Sequence, residues 1–94
     1  MTVRFEWDDS KDRTNIAKHG VGLEEASRVF SDPHVIILQD RVVEGEECLH
    51  AIGCVDRVLL VVHTLREEGL GAIIRIISAR KATPAERKFY EESE

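Results

Sequence analysis

Arg75, Arg80, Lys81, Arg87 and Lys88 crowd into RIISARKATPAERKFY at residues 75–90, a segment whose single anion is Glu86. Its net charge is +4, in a chain that carries −5 overall and therefore −9 elsewhere. A guanidinium stays charged at any working pH, and its planar fork matches the oxygens of a phosphate. On an extended strand Arg75 shares a face with Ile73 and Ile77, while Arg80 follows Ser78 on the other face. An unpaired guanidinium among apolar neighbours is costly, so Arg75 has to reach a carboxylate, a phosphate or the sheet edge. Arg80 and Lys81 come just before a helix start, where free N–H groups favour anions and two cations make a phosphate cradle. Arg87 and Lys88 stand four before Glu91 and Glu92, the spacing of solvated helix ion pairs, so half of this basic band reads first as helix surface.

Lys18-His19-Gly20 ends a helical pattern. Cations at a helix C-terminus are favoured by the dipole alone, yet a lysine beside a histidine can also bind phosphate and move a proton. Glu46 and Glu47 open an apolar strand as a general base or as charged turn residues. His63, with Leu59 and Val61 on its face, reads as a hydrogen-bonded core histidine. No pair of His or Cys has metal-ligand spacing, and neither a metal nor another cofactor is expected. Cys48 and Cys54 lie about 20 Å apart on one strand, beyond disulfide reach, and read as two small buried thiols.

The elements that hold these residues follow from pattern. VRFEW at 3–7 is a short strand, and Asp8, Asp9 or Ser10 caps a helix that runs to about His19 and stops at Gly20. A second helix over roughly 23–31 carries Leu23, Ala26, Ser27 and Phe30 as its inner stripe and ends at Asp32-Pro33. Residues 35–39, 47–54, 57–65 and 72–79 are apolar and β-branched, with short links that dictate antiparallel pairing. The last two strands scarcely alternate in polarity, so both faces of the sheet need cover, and two helices supply only one. Thr83, Pro84 and Glu86 form a capping box at the start of a last helix, with Ala82, Ala85 and Phe89 packing inward. The expectation is α+β: two N-terminal helices, a four-stranded antiparallel sheet and a C-terminal helix.

One domain over residues 1–94 is expected, since domains typically run to about 100–150 residues. The start lacks the apolar core of a signal peptide, and the longest apolar run, VLLVV at 58–62, is far short of the about 20 residues that span a bilayer. A cytoplasmic protein with no membrane contact is the expectation.

FEWDDSKDRTNIAKHGVGLEEASRVFSDP at 5–33, GEE at 45–47, LLVVHT at 59–64 and RIISARKATPAERKFYEE at 75–92 together resemble the BrnT toxin family, in the family's order and over nearly the whole chain. The resemblance implies a RelE-like α+β fold and an RNA endonuclease that inhibits translation. It implies a cognate antitoxin with a ribbon-helix-helix DNA-binding domain, which neutralises the toxin and through which alone the pair reaches its operator DNA. Two positions depart from the pattern. Cys48 stands where an arginine usually follows GEE, and HTLR, with Leu65 and Arg66, stands where the family reads HTER.

Metal-free RNA cleavage uses the 2′-hydroxyl as nucleophile, and needs a base, an acid and cations for the phosphorane charge. By residue type, Arg75 and Arg80 are assigned to the phosphate, with Lys18 and Lys81 assisting. Glu47 or His19 is the candidate base, and Tyr90 the candidate acid or base-stacking partner. Arg66, Arg87 and Lys88 add RNA contacts. The chain's negative total opposes RNA affinity, which the basic band offsets locally and the ribosome offsets if it presents the RNA. The competing reading is a toxin-like module that has lost catalysis and serves as the antitoxin-binding subunit of an autorepressor.

Overall fold

The computed structural model describes residues 2–43 and 46–93. Its strands are β1 (Val3–Glu6), β2 (Ile36–Val43), β3 (Glu46–Val55), β4 (Arg57–Glu68) and β5 (Gly71–Lys81). Its helices are α1 (Asp9–His19), α2 (Leu23–Ser27) running straight into a 3-10 turn (Arg28–Ser31), and α3 (Pro84–Glu92). The strands form one mixed sheet in the order β1-β5-β4-β3-β2. β2 to β5 are the expected antiparallel meander. The expected four-stranded sheet gains a fifth member, because β1 pairs parallel with Ala72–Arg75 of β5. Parallel pairing needs a long crossover, and no local turn signal announces it.

α1 begins where Asp8 Oδ1 accepts from Ser10 N at 2.8 Å and ends at Gly20, whose φ of 69° suits a residue without a side chain. The Ser10 hydroxyl first, then the Ser10 and Lys11 N–H groups, all donating to Asp8 Oδ1, hold the Asp8 carboxyl below its usual range. The one buried residue of α1 is polar. Asn15 Nδ2 donates to Ala79 O and to Val21 O, both at 2.8 Å, and Oδ1 accepts from Ala79 N at 3.1 Å. β1 stops opposite Arg75, so β5 runs on with an open edge, and the Asn15 amide closes it as a strand residue would.

The expected second helix is shorter than its sequence stripe implied. Its α-helical part ends at Ser27, and the chain then tightens to three residues per turn, which aligns Leu23, Ala26 and Val29 as the buried face. Ser27 and Phe30 are only half-buried. Gly53 of β3 permits this packing: a Cβ there would stand 2.7 Å from Val29 Cγ1.

α1, α2 and the 3-10 turn cover one face of the sheet, with Ala51, Leu59, Val61, Ile74, Ile76 and Ala79 beneath them. The other face carries a smaller cluster, Ile52, Leu60 and Tyr90, flanked by Ile36, Val58 and Val62. α3 starts with the capping box as expected, but it does not pack through Ala85 and Phe89, which are exposed. Tyr90 turns inward because its hydroxyl donates to Asp32 Oδ2 at 2.5 Å, and that oxygen also accepts from Cys54 N at 2.8 Å. Desolvation pushes the Asp32 carboxyl up, but the Tyr90 hydroxyl and the His34 and Cys54 N–H groups outweigh it and hold it below the ordinary range.

A bulge in β5 sets the position of the arginines. Val62 pairs with Ser78 and His63 with Ile76, so Ile77 is an extra residue and the side-chain phase reverses there. Ile74 and Ile76 on one side of it, and Ala79 on the other, all reach the helix-covered core. Arg75, Ser78 and Arg80 consequently share the opposite face, correcting the expectation that Arg75 and Arg80 point apart.

Candidate active site on the open face of the sheet

Cross-strand pairing arranges this second face in rows. One row is Glu6, Arg75, Thr64, Cys48 and Arg41; the next is Ser78, Val62, His50 and Leu38; a third, Arg80, Leu60, Ile52 and Ile36, runs beneath α3. The first two rows form an open floor rich in polar groups. His50, half-buried, places Nε2 3.4 Å from Asp40 Oδ2. Asp40 projects there because it is the irregular residue between Gln39 and Arg41 in β2. His50 and Arg75 are two strands and two residues apart, about 12 Å between Cα atoms, a span that two long side chains can close around one phosphate.

The cations on this floor are already paired. Arg75 Nη1 lies 3.3 Å from Glu6 Oε1, with 42% of its side chain exposed. Arg66 reaches Glu6 at 3.9 Å and Glu68 at 3.7 Å. Arg80 makes a forked bond to Glu86, at 2.8 and 3.0 Å, and a third to Lys81 O at 3.2 Å. Glu86 Oε1 also accepts from Thr83 N at 2.8 Å. The Arg80 fork, with the Thr83 contacts, holds the Glu86 carboxyl down at about 2. Where a phosphate cradle of Arg80 and Lys81 was expected, Arg80 and the start of α3 hold the carboxylate of Glu86.

Other sequence candidates are dispersed. Lys81 is exposed and pairs with Leu59, on the face away from Arg80. Glu47, opposite Val42, also projects away from the open floor, while Gly45 and the Glu46 side chain lie outside the described residues. Tyr90 is 6% exposed, so its ring offers no surface for base stacking, and its hydroxyl serves Asp32. Arg87 is exposed, and Lys88 makes the expected helix pair with Glu92 at 3.9 Å. Lys18 and His19 line a groove between α1 and the β5 bulge, with Lys11, Thr14, Asn15, Ile77 and Ser78. His63 packs edge-on against Phe30 at 4.8 Å, and burial lowers its pKa, so it is a neutral core residue. Cys48 is buried as expected; Cys54 is exposed, and both are free thiols.

His50, Asp40, Ser78 and Asn15 were not among the sequence candidates. The signal for His50 was its spacing two from Ile52 in β3, which puts both on one face. The two departures from the family pattern also separate: Cys48 belongs to the open floor beside Arg41, whereas Leu65 lies opposite Ile74 on the helix side. Among the described residues no three His, Cys, Asp or Glu side chains converge as metal ligands, and no helix is long and apolar enough to cross a membrane.

A family model described as the ribonuclease toxin BrnT of type II toxin–antitoxin systems matches residues 7–86. The crystal structure of the Brucella abortus ribonuclease toxin BrnT is similar, with a TM-score of 0.59 at 26% identity, over 87% of this chain and 99% of that one. A search of curated protein sequences finds no match. With its three helices and five-stranded mixed sheet, the chain belongs to the BrnT family of ribonuclease toxins of type II toxin–antitoxin systems.

Proposed function

We propose that this chain is a metal-independent endoribonuclease that inhibits translation and that cuts RNA on the open floor of its RelE-like sheet. The observation carrying this reading is the β5 bulge, which sets Arg75, Ser78 and Arg80 on the same face as the His50–Asp40 pair. In the proposed reaction the 2′-hydroxyl oxygen attacks the adjacent phosphorus and its proton passes to a base. The bond to the 5′-oxygen breaks, that oxygen takes a proton, and a 2′,3′-cyclic phosphate remains. His50, oriented by Asp40, is the side chain best suited to move these protons, and Arg75 to neutralise the phosphorane. Glu47 is on the wrong face and the Tyr90 hydroxyl is occupied, so neither is retained. A ribbon-helix-helix antitoxin would neutralise the toxin and carry the pair to operator DNA.

The second reading, a catalytically weak antitoxin-binding subunit, draws on one observation: Arg75 and Arg80 both hold carboxylates. The two readings separate in a cleavage assay on single-stranded RNA with excess chelator. The enzyme reading expects cutting that survives chelation, stops when the ribose at the cut site is 2′-deoxy, and falls at least about 100-fold in His50→Gln and in Arg75→Ala. Full activity in both variants would place the chemistry elsewhere, and no cutting by the purified wild type would favour the binding subunit.

A further inference from the structure

We infer that the groove between α1 and the β5 bulge binds an RNA backbone phosphate neighbouring the one that is cut. This rests on the ribonuclease reading and adds a subsite to it. The groove measures about 330 Å³. Lys11, Thr14 and Lys18 stand at i, i+3 and i+7 and so line it from one face of α1, with His19 at its end and Ser78 opposite.

Charge balance distinguishes this place from the open floor. Arg4, Arg41, Arg66, Arg75 and Arg80 each hold a carboxylate within 4 Å. Among the described residues neither Lys11 nor Lys18 has a carboxylate at ion-pair distance, and no carboxylate lines the groove; Asp8, at the far end of α1, feels Lys11 only weakly. The carbonyls that end α1 would repel an anion, but Ile16 O accepts from Gly20 N at 2.8 Å and Gly20 O from Arg57 Nη2 at 2.9 Å. Two unpaired ammonium groups and two hydroxyls in one concavity are a site for a singly charged phosphodiester. Ser78 belongs to both places, since it lines the groove and faces the same side as Arg75 and Arg80. A strand of RNA crossing the open floor past Arg75 reaches the groove over Ser78, three residues along β5 and about 7–10 Å away. This lets an acidic chain hold a second phosphate: beside the carboxylate-paired Arg75, the neighbouring phosphate meets two lysines that no carboxylate has neutralised.

The test measures binding of a single-stranded 2′-O-methyl RNA, which has no free nucleophile, over a range of salt. Lys11 and Lys18 are exposed, so the Lys11→Gln, Lys18→Gln double variant should melt like wild type. Each lost phosphate contact removes about 0.7 from the slope of log affinity against log salt, so the double variant, which loses this one phosphate, should be shallower by about 0.7. Arg13→Gln removes one charge from the same helix outside the groove and should leave the slope as it is. An unchanged slope in the double variant, or an equal loss per charge in Arg13→Gln, overturns the subsite. Cleavage of unmodified RNA by wild type, run in parallel, tells the two failures apart. If wild type cuts while the slopes agree, only the subsite falls; if it neither cuts nor binds, the ribonuclease reading falls and the subsite with it.

Discussion

Replacing Glu86 with Gln tests how the Arg80 fork is used. Gln at this position still accepts from Thr83 N, so the capping box survives and only the charge is lost. The carboxyl falls from 4.5 to about 2 on folding, which at 1.36 kcal/mol per unit corresponds to roughly 3 kcal/mol. Arg80 and Glu86 keep 38% and 26% of their side-chain surface exposed, so water screens the pair and about 1 kcal/mol is the expected cost. For a domain of this size that is a fall of about 4–8 °C in melting temperature at pH 7. Because the folded pKa is depressed, the stabilisation is complete above about 4.5 and is lost as pH falls towards 2. Thermal melts from pH 7 down to pH 3 should therefore show the gap between wild type and variant narrowing below about 4.5. Freed of its carboxylate, Arg80 should also bind the 2′-O-methyl RNA more tightly. A gap of constant size across this range, or no gap at pH 7, would refute the assignment of the low pKa to the Arg80 pair.

Asn15→Ala strands the Ala79 N–H and C=O and the Val21 carbonyl, and should cost about 3 kcal/mol in urea denaturation with little change in slope. A loss under about 1 kcal/mol would mean that water replaces the amide. Gly53→Ala drives a methyl against Val29 Cγ1 and should cost about 1–3 kcal/mol, part of which Val29→Ala restores in the double variant.

Local signals were legible in the sequence wherever the cause was local. Gly20 ends α1 and Thr83 with Glu86 opens α3 because caps act over three or four residues. β1 escaped into isolation because its partner is 69 residues away at Arg75. The bulge at Ile77 escaped because IIRIISA is apolar on both phases, so one extra residue leaves no trace in the pattern. Tyr90 rather than Phe89 turns inward on account of Asp32, 58 residues earlier, which no helical periodicity contains. Of the candidate site, the arginines were readable by type and position. The His50–Asp40 pair was not, because it joins two strands at an irregularity in β2.

The parallel seam between β1 and β5 also orders events in time. The first strand to leave the ribosome has no neighbour until residues 71–81 have followed it, and α1 cannot anchor Asn15 before Ala79 exists. An 11-residue helix alone in water is marginal, so the N-terminal segment waits, unfolded, on the last-made strand. Arg75 and Arg80 belong to that same strand. A nascent or prematurely ended chain that stops short of β5 thus lacks its closing seam, the backbone partner of Asn15, and both of these arginines at once.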